Sequence, residues 1–377
     1  MPWKEYTKMS QRYEFALLAS QEGCNFSQLC KRFNITRPTG YKWLRRYQES
    51  GGEALMDVSR RPKHSKNRTP DAIEELVLKV RTDHPQWGGR KIKRRLEDLG
   101  HVNIPSATTI TNILQRHHKI APEDSERAQH WQRFEHPNSN DLWQMDFKGF
   151  IQTDTGRCYP LTVLDDHSRY SIVLQACAHE RTGLVKDALI DAFRKYGLPK
   201  RMTMDNGAPW GGYETGQLTT VTAWLIRLGI KVSHSRPYHP QTQGKDERFH
   251  RTLKVELLNH NRFGDLLEAD DAFRSWRYIY NTQRPHEALS MDTPIQHYSP
   301  SVRNYPETLP PIEYDHNDTV RKINSDGKLS VQGKVFVVSR ALESQYVALR
   351  PTAVDGVIDV YYCHHKVKTL DLRAYRK

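Results

Sequence analysis

The stretch "KRMTMDNGAPWGG", residues 200–212, decides how the rest of this chain is read. Met202 and Met204 alternate with Thr203, so the run reads as a short strand. It ends on Asp205, and Asn206 and Gly207 then supply good turn chemistry, because both tolerate left-handed backbone. "TTVTAWLIRLG" (219–229) reads as a helix and "IKVSHSRP" (230–237) as another strand. Upstream lie three strand candidates, "DLWQMDFKGFIQ" (141–152), "RCYPLTVLDDHSRY" (157–170) and "SIVLQACA" (171–178), then a helix, "TGLVKDALIDAFRKYG" (182–197). "TQGKDERFHRTLKVELL" (242–258) and "ADDAFRSWRYIYNTQRPH" (269–286) read as helices. A meander followed by alternating helices and strands predicts a mixed, five-stranded α/β sheet over 141–300.

On both sides of this core the texture differs. Residues 1–120 carry 23 Lys and Arg against 12 Asp and Glu, whereas residues 121–300 carry 22 against 23. With a net charge of +13, that asymmetry fits a part that grips nucleic acid joined to a catalytic part. Residues 8–21 read as an amphipathic helix, and "NFSQLCKRFNI" with "TRPTGYKWLRRYQESGG" predicts a helix-turn-helix within residues 1–58. Thr36 is placed to cap the second helix, with Pro38 in its first turn. Arg37, Thr39, Tyr41, Lys42, Arg45 and Arg46 lie on or near its free face as candidate DNA contacts; an ordinary helical hairpin is the alternative.

"SRRPKHSKNRTP" (59–70) is basic and Pro-bounded, so it reads as a linker whose Arg60, Arg61, Lys63, Lys66 and Arg68 suit a DNA backbone or minor groove. A second helix-turn-helix is predicted over 71–120, with Ser106 as a cap, Trp87 in its core, and Ser106, Thr108 and Thr109 facing a major groove. Residues 121–140 and the Pro-rich 301–316 read as further linkers. Residues 317–377 alternate apolar and polar, with Gly turns at 327, 333 and 356, which predicts a small SH3-like β-barrel.

No apolar stretch approaches a membrane span, and the N-terminus has no signal-like segment. The five cysteines are scattered without a C-x-x-C pair, so neither a zinc knuckle nor a disulfide framework is indicated and a reducing, cytoplasmic compartment is expected.

Three acids stand out. Asp146 interrupts an apolar run in "WQMDFKG", Asp205 ends a later strand, and Glu247 opens a helix in "RPYHPQTQGKDERFHRTLK" (236–254). Carboxylates from three separate elements can converge at one end of a sheet. Oxygen-only ligands suit Mg²⁺ or Mn²⁺, and a pair of such ions clamps the attacking and leaving oxygens of a phosphoryl transfer. Arg251 and Lys254 share a helical face with Glu247 and suit phosphates, as do Lys245 and Arg248 nearby. A surface helix with solvated charges is the plain alternative. Asp165 and Asp166 read as a strand-to-strand turn. Trp210 either stacks on a base or fills the core, and His239, Gln241 and Gln243 suit a loop that touches DNA.

Taken together, "MDF", "TMDNGAPWGG", "LGIKVSHSRPYHPQTQGKDERFHRTLKVEL" and "YNTQRPHEAL" resemble the catalytic domain of D-D-E transposases and retroviral integrases, most nearly the bacterial IS481-type transposases. The resemblance spans nearly the whole chain and includes the tail "GKLSVQGKVFVVSRALESQYVALRP". It implies a ribonuclease-H-like core with the metal-binding triad on Asp146, Asp205 and Glu247. Asp246 is the rival to Glu247, which is preferred because the family sets its Glu three residues after the loop Gly, here Gly244. The resemblance further implies two Mg²⁺ or Mn²⁺ ions per site, with Asp146 bridging both. It implies 3′-end cleavage at the element's inverted repeats and strand transfer into target double-stranded DNA. A homo-oligomer, dimer or larger, would act in a bacterial, nucleoid-associated setting. A domesticated, non-cutting DNA-binding regulator is the competing expectation.

Overall fold

The computed structural model describes residues 7–57, 69–120, 136–205, 207–211, 218–234 and 244–375. The chain divides into two compact units, Met1–Arg68 and Thr69–Lys377. Most of the expected linkers at 59–70 and 121–140 lie outside the described residues.

In the first unit, α1 (Lys8–Ala19), α2 (Phe26–Arg32) and α3 (Arg37–Ser50) form the expected helical trio. The side chains of Thr7 and Asn25 accept from backbone N–H groups at the starts of α1 and α2. Thr36 precedes α3 but makes no such cap; its hydroxyl meets Thr39 Oγ1 at 2.9 Å. Gly40 explains how α3 comes so close to its neighbours. A Cβ there would lie 2.8 Å from Cys30 Sγ and 2.9 Å from Phe15 Cζ. The residue's helical cost, about 1 kcal/mol, is offset by that close approach.

The second unit opens with α4 (Asp71–Asp83), α5 (Gly89–Asp98) and α6 (Ala107–Arg116). Trp87, Ile92, Leu96, Ile110 and Leu114 fill their common core, and Ser106 caps α6 by accepting from the Thr109 N–H. This helical set rests on the sheet-bearing core through Ile279, and polar contacts fix it: Arg95 donates to Gln283 Oε1 at 2.9 Å, and Arg94 pairs with Asp292 at 3.0 Å.

The central sheet contains β1 (Trp143–Phe147), β2 (Ile151–Thr153), β3 (Gly156–Asp165), β4 (Ser171–Cys177), β5 (Arg201–Met204) and β6 (Lys231–His234). Its order is β2-β3-β1-β5-β6, with β4 on the other edge of β3. The β1–β5 and β5–β6 pairs are parallel, and β3 is antiparallel to both β1 and β4. The sequence read residues 141–152 as one strand. Instead Gly149, at φ +84°, breaks it into β1 and the short β2, which folds back on the start of β3.

Helices α7 (Thr182–Tyr196) and α8 (Thr220–Arg227) cover one face, packing Leu189, Phe193 and Leu225 against Met145 and Met202. Helices α9 (Gly244–Leu253) and α10 (Leu266–Thr282) cover the other, packing Phe249, Leu253, Phe273 and Trp276 against Cys158, Leu164 and Leu174. A short α11 (Pro294–His297) follows.

Residues 301–316 do more than link. Arg303 donates to the carbonyls of Pro199, Leu228 and Gly229, and Tyr305 rests against Phe193 and Trp224, so the stretch straps the core. The tail carries β7 (Thr319–Lys322), β8 (Lys328–Val331), β9 (Lys334–Val337), β10 (Tyr346–Pro351), β11 (Val357–Tyr362) and β12 (His365–Asp371). They form a four-stranded sheet, β12-β11-β10-β7, and a separate β8–β9 hairpin over one core that includes Ala223 and Ile226 of α8. Among the described residues no strand pairing closes these sheets, so the expected SH3-like barrel gives way to two packed sheets. The hairpin instead hangs from the loop at Gly327, whose carbonyl accepts from Val338 and Ser339.

Candidate active site

Backbone register creates the central feature. Parallel pairing sets Trp143 opposite Met202 and Gln144 opposite Thr203. Carried on by two residues, that register brings Asp146 beside Asp205 at the C-terminal ends of β1 and β5. The electrostatics agree. The Asp146 carboxyl is pushed up to about 7, first by burial and then by the charge of Asp205. Burial also raises Asp205, against a bond from the Gly207 N–H to its Oδ1 at 3.1 Å that favours the charged form.

Neighbouring groups hold the pair. The Thr162 hydroxyl donates to the Asp146 carbonyl at 2.9 Å and lies 2.9 Å from His250 Nε2. His250 Nδ1 is 3.9 Å from Asp146 Oδ2. Burial, then Lys148, pushes His250 down to about 4, so the imidazole is neutral at pH 7. A ring nitrogen of His234 lies 2.9 Å from the Asp205 carbonyl oxygen.

Helix α9 presents its two acids differently. Asp246 is 1% exposed, and among the described residues neither of its carboxyl oxygens has a hydrogen-bond partner. Burial first, then Asp146 and Asp166, raise it well above the usual carboxylate range. Glu247, in the first turn, is exposed, and so are Arg248, Arg251 and Lys254 further along. Asp146 and Asp205 therefore come together, while among the described residues no three His, Cys, Asp or Glu side chains form a group able to hold a metal. Phe249 and Leu253 pack inward, as their helical spacing predicts.

Lys245, expected to contact DNA, makes an ion pair with Asp166 Oδ2 at 2.5 Å. The Asp165–Asp166 turn is a buried polar hub. Asp165 accepts from the Asn140 and Ser168 N–H groups at 2.7 and 2.9 Å. Nothing in the local sequence marks Asp166 as a partner for a residue 79 positions away. The largely buried Arg284–Glu256 pair, 2.8 Å apart, is equally illegible, although Arg284 lies within "YNTQRPHEAL". Trp210 fills the core, 1% exposed and stacked on Phe147.

Among the expected DNA contacts on α3, Tyr41 stacks on Phe26 at 4.2 Å, and Lys42 and Arg46 lie 5.3 and 5.1 Å from the Trp43 ring. Arg37 donates to Ser27 Oγ at 2.6 Å, and Arg45 is exposed. On α6, Thr108 is exposed and Thr109 Oγ1 meets Ser106 Oγ at 3.0 Å. Arg60, Arg61, Lys63, Lys66 and Arg68, with His239, Gln241 and Gln243, lie outside the described residues. Among the described residues no helix is long and apolar enough to cross a membrane.

Family models match this architecture piece by piece. An integrase core domain matches residues 136–240 and another 228–294. A helix-turn-helix domain matches 11–63 and a homeodomain-like domain 39–114. The fold and site thus define an integrase-core protein with helix-turn-helix domains. The C-terminal domain of IS481 family transposases matches residues 318–377, and together with the integrase-core matches that tail supports an IS481-type transposase.

The transposase for transposon Tn552 of Staphylococcus aureus is 25% identical over 388 residues, covering 90% of this chain and 78% of that protein. An uncharacterized 39.2 kDa protein of insertion element IS476 of Xanthomonas euvesicatoria is 31% identical over 42% of this chain; that match spans 44% of the relative's length. Among solved structures, a simian T-cell lymphotropic virus intasome chain is 16% identical, with a TM-score of 0.37 over 78% of this chain and 99% of its own.

Proposed function

We propose that this chain is a DNA transposase that binds the terminal inverted repeats of its element, cuts the 3′ ends and joins them to target DNA. The observation that supports this most is the Asp146–Asp205 pair at the ends of two parallel strands, inside the stretch that matches an integrase core.

These carboxyls fit a divalent ion. They are crowded oxygen donors, and the repulsion that raises Asp146, with Asp246 lacking a hydrogen-bond partner among the described residues, is what a bound hard cation would relieve. Asp146, Asp205 and Glu247 are the residues proposed to hold Mg²⁺ or Mn²⁺, two ions per site. Bound there, the metal would lower the pKa of a water and stabilise charge on the transferring phosphoryl group. The chain's own residues do the rest. The exposed cations Arg248, Arg251 and Lys254 neutralise the incoming strand, and the helix-turn-helix units choose and hold the duplex. Because two element ends must be joined to one target, the working form is a homo-oligomer.

The test is Mn²⁺-supported cleavage of DNA that bears the element's ends, with wild type set against Asp205→Ala. Cutting by wild type and none by the variant is expected. A chain that shifts the DNA on a gel yet never cuts would instead be a DNA-binding regulator.

A further inference from the structure

Hydrophobic packing of Phe249 and Leu253 selects the face that α9 buries, but such contact is non-directional and leaves the helix free to slide. One chain of polar contacts removes that freedom at the first turn. Lys245 Nζ pairs with Asp166 Oδ2 at 2.5 Å and donates to the Asp166 carbonyl at 3.0 Å. Asp166 is itself fixed on three sides. Its N–H donates to the Leu142 carbonyl at 2.9 Å, its Oδ1 accepts from Gln144 Nε2 at 2.8 Å, and its Oδ2 accepts from the His136 N–H at 2.9 Å.

The side chains of Lys245 and Asp166 are only 16% and 3% exposed, and Gln144 is buried, so this is an interior network rather than a surface ion pair. Its two ends are informative. Gln144 lies two residues before Asp146 on β1, where alternation puts both side chains on one face. Lys245 lies two residues before Glu247 on α9.

We propose that Gln144, Asp166 and Lys245 form a positioning clamp that sets Glu247 relative to the Asp146–Asp205 pair, and that Lys245 is not a DNA contact. The proposal rests on the transposase reading above. A helix displaced by about 1 Å would misplace one acid against the other two, and errors of that size cost on the order of 100-fold in rate. Residues that orient metal ligands typically change metal affinity or activity about 10- to 100-fold when altered.

The experiment compares full-length wild type, Lys245→Met and Lys245→Arg. Three assays are run: kcat and KM for strand transfer of pre-cut ends, affinity for end DNA by anisotropy across a salt series, and Mn²⁺ binding by calorimetry without DNA. Lys245→Met is expected to lose at least about 10-fold in kcat and about 10-fold in Mn²⁺ affinity, with KM and DNA affinity within about threefold. Lys245→Arg, which keeps the charge and the donors, is expected to recover most of both.

Unchanged kcat and Mn²⁺ affinity in Lys245→Met would overturn the clamp. So would weaker DNA binding with a salt slope reduced by about one, the mark of a lost phosphate contact. If Lys245→Met loses its melting transition, Lys245→Gln carries the same comparison. The parallel wild type and Asp205→Ala reactions judge the transposase reading separately, and the Mn²⁺ measurement judges the clamp even if nothing is cut.

Discussion

Lys91 offers a sharp test of how the second helical domain sits on the core. It lies on α5, and its pKa is pushed down to about 8 from the ordinary 10.5, by burial first and then by Arg284 of the core. Glu256 and Glu287 pull the other way without restoring it. The folded chain therefore holds the Lys91 proton less tightly than the unfolded chain does. Between pH 8 and 10.5 the unfolded state binds more protons, so this group makes stability rise with pH; below about 8 its penalty is at its full, constant value. At about 1.4 kcal/mol for each tenfold change in proton affinity, that penalty is at most about 3.5 kcal/mol. Some of the side chain still meets solvent, so about 1–2 kcal/mol is the realistic share.

Lys91→Met keeps the apolar stem and removes the charge. It should stabilise the protein by that amount at pH 7, as measured by urea unfolding, and its advantage should shrink toward zero as both proteins are taken to pH 10. A variant less stable than wild type at pH 7, or an advantage independent of pH, would refute the reasoning. Either result would mean that the ammonium makes a favourable contact in the folded chain.

Three further outcomes follow from the same contacts. Glu256→Gln strands the Arg284 guanidinium in a site where both side chains are 11% exposed, so it should cost about 3–5 kcal/mol in urea unfolding, far more than a surface pair would. Gly89→Ala places a Cβ against the Ala107 carbonyl and 2.6 Å from Thr111 Oγ1, so α5 and α6 must separate; a loss of about 1–3 kcal/mol is expected by thermal melting. Phe249→Ala opens a cavity beneath α9 beside Trp276 and Tyr280 and should cost about 3–5 kcal/mol, with amide exchange accelerating first along α9.

The elements legible in the sequence were those whose signal is local. Caps such as Ser106 and the apolar spacing of Phe249 and Leu253 depend on neighbours a few residues away. Gly149 was visible too, yet its strand break was not, because only the hairpin of β2 against β3 shows that the chain reverses there. The site was partly legible for the same reason. An acid that ends a strand is a local sign, and parallel pairing then does the work of bringing Asp146 to Asp205. Lys245 looked like a phosphate contact because basic residues near an acid on a helix suggest one. Its pairing with Asp166 depends on the turn after β3 being packed beneath α9, which no spacing encodes. Arg303 posed the same problem: a Pro-rich stretch reads as a tether until its guanidinium finds three carbonyls.

The phase of α9 ties these observations together. Successive residues on a helix point about 100° apart, so adjacent acids cannot share a direction. Burying Asp246, Phe249 and Leu253 against the sheet necessarily turns Glu247 outward, onto the stripe with Arg251 and Lys254, with Arg248 beside it. The strand acids are fixed by backbone hydrogen bonds and tolerate little adjustment, whereas an acid on a helix moves with the whole helix. On the proposed function, the carboxylate and the cations that meet the DNA strand would thus be one rigid piece. A contact that seats α9 therefore sets the metal geometry, where tolerance is least, whereas the long exposed Arg and Lys side chains can follow a phosphate, so a small shift of α9 is expected to impair metal binding well before DNA binding.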